Sequence, residues 1–441
     1  MKTPRGRGTR SRTSPDGALI QRMEENTGKV FLHIGAVKTG TTYLQGVLES
    51  NRQSLADCGY ALPGESWGDQ VRAVQDVLGL TRRDPKIASR AMGGWASLTR
   101  AITSQHESNS IISMEWLSFA SRRQAAFVIR SLKVSEVHVV LGIRDMTATL
   151  PGLWATNILT SGTASWPEFM SSVRKAAHRY RWPPRYSLDP SLRYFSRQQD
   201  MKHVLQVWGG LLPRGHLHVL TVPPSGTDPS VLWGRFCSSV GLNPGVASAI
   251  PEPANQSLGY ASAELLRRVN LALGQSMQLD YNNTVKSPLA SQILAQRSET
   301  EMRARLNLET RDFGLRWNHR TRLAVASSGA VLVGDINDLP VVSSDRLARR
   351  CDADQPEPCL EELLAAATHA VEGLDRVVKR RIRRLRKRGV DDWSPAFEVP
   401  VATPAAWREA VDPLQAAVTD IVTAARVAME LERRFRDSAT S

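Results

Sequence analysis

The stretch Val30-Phe31-Leu32-His33-Ile34-Gly35-Ala36-Val37-Lys38-Thr39-Gly40-Thr41-Thr42 decides the reading of this chain. Its first five residues form an apolar run of strand type. From Thr41 to Ser50 the spacing becomes helical, with Leu44, Val47 and Leu48 on one face. A strand that turns directly into a helix presents several free backbone N–H groups, with the positive end of the helix dipole behind them. Gly35 and Gly40 let backbone approach a ligand closely. Lys38 adds a point charge, and Thr41 and Thr42 add hydroxyl donors. Together they read as a phosphate-sized cradle at the carboxyl end of a strand, where open α/β sheets bind ligands.

The pattern extends outward from that loop. Ile111-Ile112-Ser113 is a short strand. Residues 137–143 are almost continuously apolar, as a strand buried on both faces is. Residues 216–222 (HLHVLTV) read as a fourth strand and residues 330–334 as a late one. Helical spacing falls at about 119–132, 196–210, 230–241 and 260–273. Strands alternating with helices predict a parallel sheet with right-handed crossovers, a three-layer α/β sandwich. Composition shifts near residue 340. Residues 359–388 and 404–436 carry apolar stripes at helical spacing, joined by DDWSPAFEVPVATP, and predict a helical hairpin. The expected organisation is a disordered basic tail (1–28), an α/β domain (29–275), its remainder or an accessory segment (276–345) and a helical extension (346–441).

Charge is concentrated rather than spread. Of the net +14, residues 1–29 carry +4 and residues 376–388 (RVVKRRIRRLRKR) carry +9, which leaves +1 for the rest. A near-neutral body argues against a nucleic-acid-binding protein. The basic stretch has Val377, Val378, Ile382 and Leu385 at helical spacing. It reads as a solvated helix packed by that stripe, or as a surface for anionic lipid, nucleic acid or an acidic acceptor. The four cysteines (Cys58, Cys237, Cys351, Cys359) lack the spacing of a zinc site, and reduced thiols are expected. No apolar run reaches the ~18–20 residues that span a bilayer. Ala18-Leu19-Ile20 is too short for a signal-peptide core, so secretion by that route is not expected.

The loop departs from the Walker A pattern G-x-x-x-x-G-K-[ST]. Gly35 and Gly40 are correctly spaced, but Thr41 stands where that lysine belongs, and Lys38 lies inside the loop. Lys38-Thr39-Gly40-Thr41-Thr42 instead resembles the P-K-[ST]-G-[ST]-[ST] loop of sulfotransferases that use 3′-phosphoadenosine-5′-phosphosulfate (PAPS), with Val37 in place of proline. The likeness covers about residues 29–275 and includes Ser113-Met114-Glu115, Arg144-Asp145 and Trp233-Gly234-Arg235-Phe236. It implies a P-loop NTPase-like sulfotransferase fold, PAPS as co-substrate and no metal, because a sulfuryl group carries less charge than a phosphoryl group.

By this resemblance Lys38 stabilises the leaving phosphate, and Gly35, Thr39, Gly40, Thr41 and Thr42 line the 5′-phosphosulfate. Arg144, closing the strand at 137–143, grips the 3′-phosphate, and Asp145 is placed to cap the next helix. The family's serine eight residues later is Gly152 here, with Thr149 or a backbone N–H as the nearest replacement. Glu115 is the first candidate for general base and His33 the second; His138 and His218 read as strand packing. Trp154, Asn157 and Trp166 are candidates for the acceptor pocket or for core, and Asn255-Gln256-Ser257 for a helix cap. Expected partners are a carbohydrate, glycolipid or other small acceptor, an anionic membrane touched through 376–388, and a second copy of the chain; no nucleic acid is expected. The expected location is cytoplasmic, at most peripheral to the inner membrane face. Two rival readings stay open: a P-loop kinase, and a non-catalytic nucleotide-binding scaffold.

Overall fold

Among the described residues, six strands form one parallel sheet: β1 (Val30–His33), β2 (Tyr60–Ala61), β3 (Asn109–Ser113), β4 (Val137–Ile143), β5 (Leu217–Thr221) and β6 (Val331–Val333), in the order β2-β3-β1-β4-β5-β6. This computed structural model describes residues 28–81, 84–105, 107–134, 136–179, 188–250, 258–276, 278–341, 357–390 and 404–438. Nearly all of the basic tail, Asn255-Gln256-Ser257, Cys351 and residues 391–403 of the Pro-containing link lie outside them. β1 is central, with His33 level with Ser113 on one side and Val140 on the other.

The major helices follow the strands in turn. α1 (Thr41–Ser50) leaves β1. α2 (Trp67–Leu78) and α3 (Gly94–Ser104) precede β3, and α4 (Arg122–Ser131) precedes β4. α5 (Met146–Leu159) and α6 (Met201–Gly209) lead to β5. α7 (Pro229–Val240), α8 (Tyr260–Leu273) and α9 (Leu308–Ser328) lead to β6, and α10 (Leu360–Arg386) and α11 (Pro413–Asp437) close the described chain. Alternation along β1 separates the two faces. Phe31 packs with Leu44 of α1 and Phe236 of α7. Val30 and Leu32 pack with Val74 of α2, Leu98 of α3, Val128 of α4 and Val204 of α6. The sheet therefore lies between two helical layers.

Boundaries differ from the sequence expectation where polar caps intervene. The single helix expected over 196–210 is two, Pro190–Gln199 and α6, because Asp200 accepts from the His203 N–H and starts a new helix. The stretch 404–436 is broken likewise: Asp412 caps α11 ahead of Pro413. Strand β2 and helices α2, α3 and α9 were not anticipated.

α10 and α11 pack as a pair, and they share a core with the body. Leu364 and Val371 of α10 and Val418 and Ile421 of α11 belong to one apolar cluster with Leu150 of α5 and Leu265 of α8. On α10 the stripe Val377, Val378 and Leu385 is buried with Val427 and Leu431 of α11, while Arg376, Lys379, Arg380, Arg383 and Arg384 stay exposed. The apolar stripe of 376–388 is thus spent on helix packing. No helix among the described residues is long and apolar enough to cross a membrane.

Residues Asn282–Ile293 wind as a π-helix containing Pro288. Arg381 of α10 holds it. Its Nη2 donates to Asn283 O at 2.6 Å, its Nη1 to Thr284 Oγ1 at 3.0 Å and to Ala428 O at 2.5 Å, and its Nε lies 3.3 Å from Glu432. Removing one partner of such a buried set leaves acceptors unsatisfied. Arg381→Ala is expected to lower unfolding free energy by about 3 kcal/mol. Arg384→Ala, which loses an exposed guanidinium 3.9 Å over Phe435, is expected to cost about 1 kcal/mol or less. Urea denaturation of both variants checks the contrast.

Candidate anion-binding active site

The loop after β1 is held by the sheet before it is held by anything else. Ile34 N–H donates to Val140 O at 2.9 Å and Ala36 N–H to Gly142 O at 2.8 Å, while Gly142 N–H returns to Gly35 O at 2.7 Å. The ladder thus runs past the end of β1 and delivers the turn against β4. Three residues then adopt left-handed backbone: Gly35 (φ 79°), Lys38 (φ 69°) and Gly40 (φ 77°). A Cβ at Gly35 would stand 2.5 Å from the Glu115 Cβ, so only glycine fits. Lys38 has no such exemption, and its conformation costs roughly 1–2 kcal/mol. Gln199 supports it by donating Nε2 to Val37 O at 3.2 Å. α1 starts at Gly40 without a side-chain cap, whereas Asp145 caps α5 and Asp228 caps α7. The first N–H groups of α1 are therefore left to a ligand or water.

The Lys38 side chain runs over Gly152 of α5. A Cβ on Gly152 would meet Lys38 Cε at 3.5 Å, an ordinary contact. Here a cavity of about 200 Å³ opens, lined by Lys38, Arg144 and Arg303 together with Gly152, Trp154 and Tyr260. Arg144 donates Nη1 to Lys38 O and Nη2 to Ser225 Oγ, both at 3.3 Å. Burial holds the Lys38 ammonium below its usual pKa, the Arg144 charge adds to that, and Glu115 opposes it. Burial also lowers Arg144, with Asp145 opposing and Arg303 reinforcing. Three cations crowd one partly enclosed space, and an anion placed among them relieves that crowding. A larger cavity, about 260 Å³, lies beyond Gln199 against Trp317 and Ala324 of α9. The convergent positive charge is at Lys38, so the site is placed there.

Glu115 opens the turn after β3. Gln45 of α1 donates Nε2 to Glu115 Oε2 and to Ser113 O, each at 3.1 Å. Lys286, on the π-helix, also feels the Glu115 charge; burial lowers its pKa and Glu115 opposes the shift. The Glu115 charge thus acts on two ammonium groups, Lys38 and Lys286. Trp67, partly exposed, donates its indole N–H to Ser113 O at 3.2 Å.

Set against protein-family models, curated proteins and solved structures, the chain matches none.

The structure brings Gly35, Lys38, Gly40, Thr41, Thr42, Arg144, Gly152 and Glu115 to the carboxyl end of the central strands. It turns the Thr39 hydroxyl inward: Oγ1 donates to Ala36 O at 2.6 Å, so that side chain fixes the turn. The Thr149 hydroxyl donates to Asp145 O at 2.8 Å and has no proton left for an anion. Trp154 and Trp166 pack edge-on in the core, with Trp154 Nε1 donating to Ala164 O. Ser225, Arg303, Gln45, Gln199 and Lys286 were missed. Of these, Gln45 left a signal, a polar residue on the buried face of α1 among Leu44, Val47 and Leu48.

His33 lies elsewhere. It does not line the cavity but is buried between Ser113 and α7, Nδ1 2.8 Å from Ser113 Oγ and ring edge-on to Phe236 at 5.4 Å. Burial lowers its pKa from 6.5 to about 4, so it is neutral in the fold. Unfolded chains take up a proton at this residue between those two values and folded chains do not. Stability is full above pH 6.5 and falls as pH drops toward 4, by roughly 3 kcal/mol. Chemical denaturation across this window is expected to show that slope in the wild type and a flatter one in His33→Gln.

Proposed function

We propose that this chain transfers a sulfuryl group from PAPS to an acceptor hydroxyl or amine by in-line displacement at sulfur. The observation that carries this reading is Lys38. A non-glycine residue is held in left-handed backbone by β4, Gln199 and Arg144, with its ammonium laid into a cavity beside two guanidinium groups. Strain of this kind persists where surrounding structure over-determines it, and it clusters at functional sites. The place also fits. β1 and β4 are neighbours whose connections leave in opposite directions, the switch point at which open α/β sheets take ligands.

In this reading the free N–H groups of residues 38–42 hold the 5′-phosphosulfate. Lys38 neutralises the charge that develops on the bridging oxygen as the sulfur–oxygen bond to the nucleotide breaks. Arg144 and Arg303 hold the 3′-phosphate. Glu115, oriented by Gln45, takes the proton from the acceptor as the new bond to sulfur forms. Trp67 sets an aromatic ring near Glu115, of the kind on which a sugar stacks, which favours a carbohydrate acceptor. Two helical layers around a parallel sheet support a P-loop-like sulfotransferase fold. Thr41 in the Walker-lysine position weighs against an ATP-dependent kinase.

Calorimetric titration with adenosine 3′,5′-bisphosphate, and separately with ATP and magnesium, tests the reading. The bisphosphate is expected to bind more tightly, and Lys38→Ala and Arg144→Ala each to weaken it by about 10- to 100-fold, the worth of a charge-assisted hydrogen bond. Preference for magnesium-ATP points to a kinase, and no binding of either points to a scaffold.

The Gly152 contact allows the opposite experiment. Gly152→Ser places its Cβ in ordinary contact with Lys38 and adds the donor missing from this wall of the cavity. It is expected to tighten bisphosphate binding by about 3- to 10-fold, one added hydrogen bond, measured in the same titration.

A further inference from the structure

A second cluster of ligating side chains lies at the other end of the sheet. His138, near the start of β4, is about 20 Å from Arg144 at ~3.3 Å per residue. Its ring stacks on His216 at 4.3 Å and 10°, and on Phe31 at 5.1 Å. His138 Nε2 lies 2.7 Å from Glu136 Oε1, and its Nδ1 lies 3.1 Å from His218 Nε2. His216 turns Nδ1 to the Val137 carbonyl at 3.1 Å. One ligating atom from each of Glu136, His138 and His216 falls within 4.8 Å of the others, and all three residues are partly buried.

We propose that Glu136, His138 and His216 form a site for one divalent transition-metal ion of the zinc type, with His218 orienting His138. Two imidazoles and a carboxylate are a donor set that zinc and its neighbours accept. The His216 tautomer favours it, and His138, whose Nε2 faces the Glu136 carboxylate, must give up the proton there and keep one on Nδ1. A carbonyl only accepts, so His216 carries its proton on Nδ1 and keeps a lone pair on Nε2. A metal-bound histidine hands its other ring N–H to a nearby acceptor, and His218 Nε2 stands where His138 Nδ1–H needs one. In that arrangement the metal replaces a proton on His138 Nε2.

Donors about 2.0–2.1 Å from a tetrahedral zinc lie roughly 3.4 Å apart. The His138–Glu136 pair, at 2.7 Å, must therefore open by about 0.7 Å, and separations of up to 4.8 Å must close by about 1.4 Å. Side-chain rotation must take the two imidazoles out of their parallel stack. Partial exposure leaves a fourth position for water. Lys29 Nζ, 3.0 Å from Glu136 Oε1, competes for the carboxylate. The ion would tie the start of β4 to the residue before β5. It lies far from the cradle, so it acts on stability and not on nucleotide binding. Sequence spacing hid the site, because its ligands fall at 136, 138 and 216.

The test is titration of the full chain, stripped of metal with a chelator, with zinc chloride by calorimetry, alongside thermal melts. The expected result is one zinc ion per chain and a melting temperature raised by about 3 °C at saturation. Glu136→Gln and His216→Gln are each expected to weaken binding at least tenfold, and His218→Gln by about tenfold. Lys29→Ala, a surface change that spares the fold, is expected to tighten binding severalfold. Absence of one-to-one zinc binding in the wild type overturns the proposal. So does unchanged affinity in Glu136→Gln and His216→Gln, or in Lys29→Ala.

Discussion

The backbone at Lys38 is the constraint on which the site depends. A left-handed lysine between two left-handed glycines does not hold itself there; the conformation costs roughly 1–2 kcal/mol. The compensation comes from the extended β1–β4 ladder, from the Thr39 hydroxyl on Ala36 O, from Gln199 on Val37 O and from Arg144 on Lys38 O. One of these contacts lies within the turn, two come from β4 and its end, and one from the Pro190–Gln199 helix, so the turn depends on the sheet and on that helix as well as on itself. What results is a lysine whose ammonium is aimed along α5, where no cap on α1 competes for the same anion.

The charge around that lysine comes from further away still. Arg144 ends β4, and Arg303 and Tyr260 come from the region after residue 257, in which no motif was seen. That region is not a loose appendix. α8, α10 and α11 share one apolar core with α5, and Arg381 pins the π-helix that carries Lys286. The C-terminal helices thereby support the cavity wall and the segment that carries Lys286, whose ammonium feels the Glu115 charge. Their exposed arginines are what remains after the apolar stripe of α10 is buried.

Readability from sequence followed the range of the interactions. The limits of β4, α1 and α8 agree with periodicity alone, because each is a strong apolar pattern bounded by turn residues. The turn after β1 was legible because its parts are adjacent in sequence and its glycines mark the left-handed backbone. Arg144 was legible as the residue closing a strand. The rest was not, for a definite reason. Arg303 and Lys286 sit on segments with no periodic signal, and only packing carries them to the site. Thr39 and Thr149 have the right chemistry, but their single hydroxyl protons go to the nearest carbonyls, a local competition that residue type does not disclose. His33 lies in the strand that feeds the loop, yet strand alternation turns it away from the cavity and into the α1–α7 layer.

A parallel sheet gives its two ends different chemistry, and β4 carries both. At the carboxyl end, helices begin, N–H groups point outward, and cations gather where an anion can be held. At the amino end, side chains from neighbouring strands stand level with one another, and the register of β4 on β5 and β1 sets His138 beside His216, His218 and Phe31. Imidazoles stacked there are too far from the cradle to serve it and too ordered, each with a defined partner for a ring nitrogen, to be filler. Two registers of the same strand therefore do the two jobs: β1 on β4 delivers the turn, and β4 on β5 assembles the histidine cluster, so a one-residue shift of β4 against both neighbours would dismantle both.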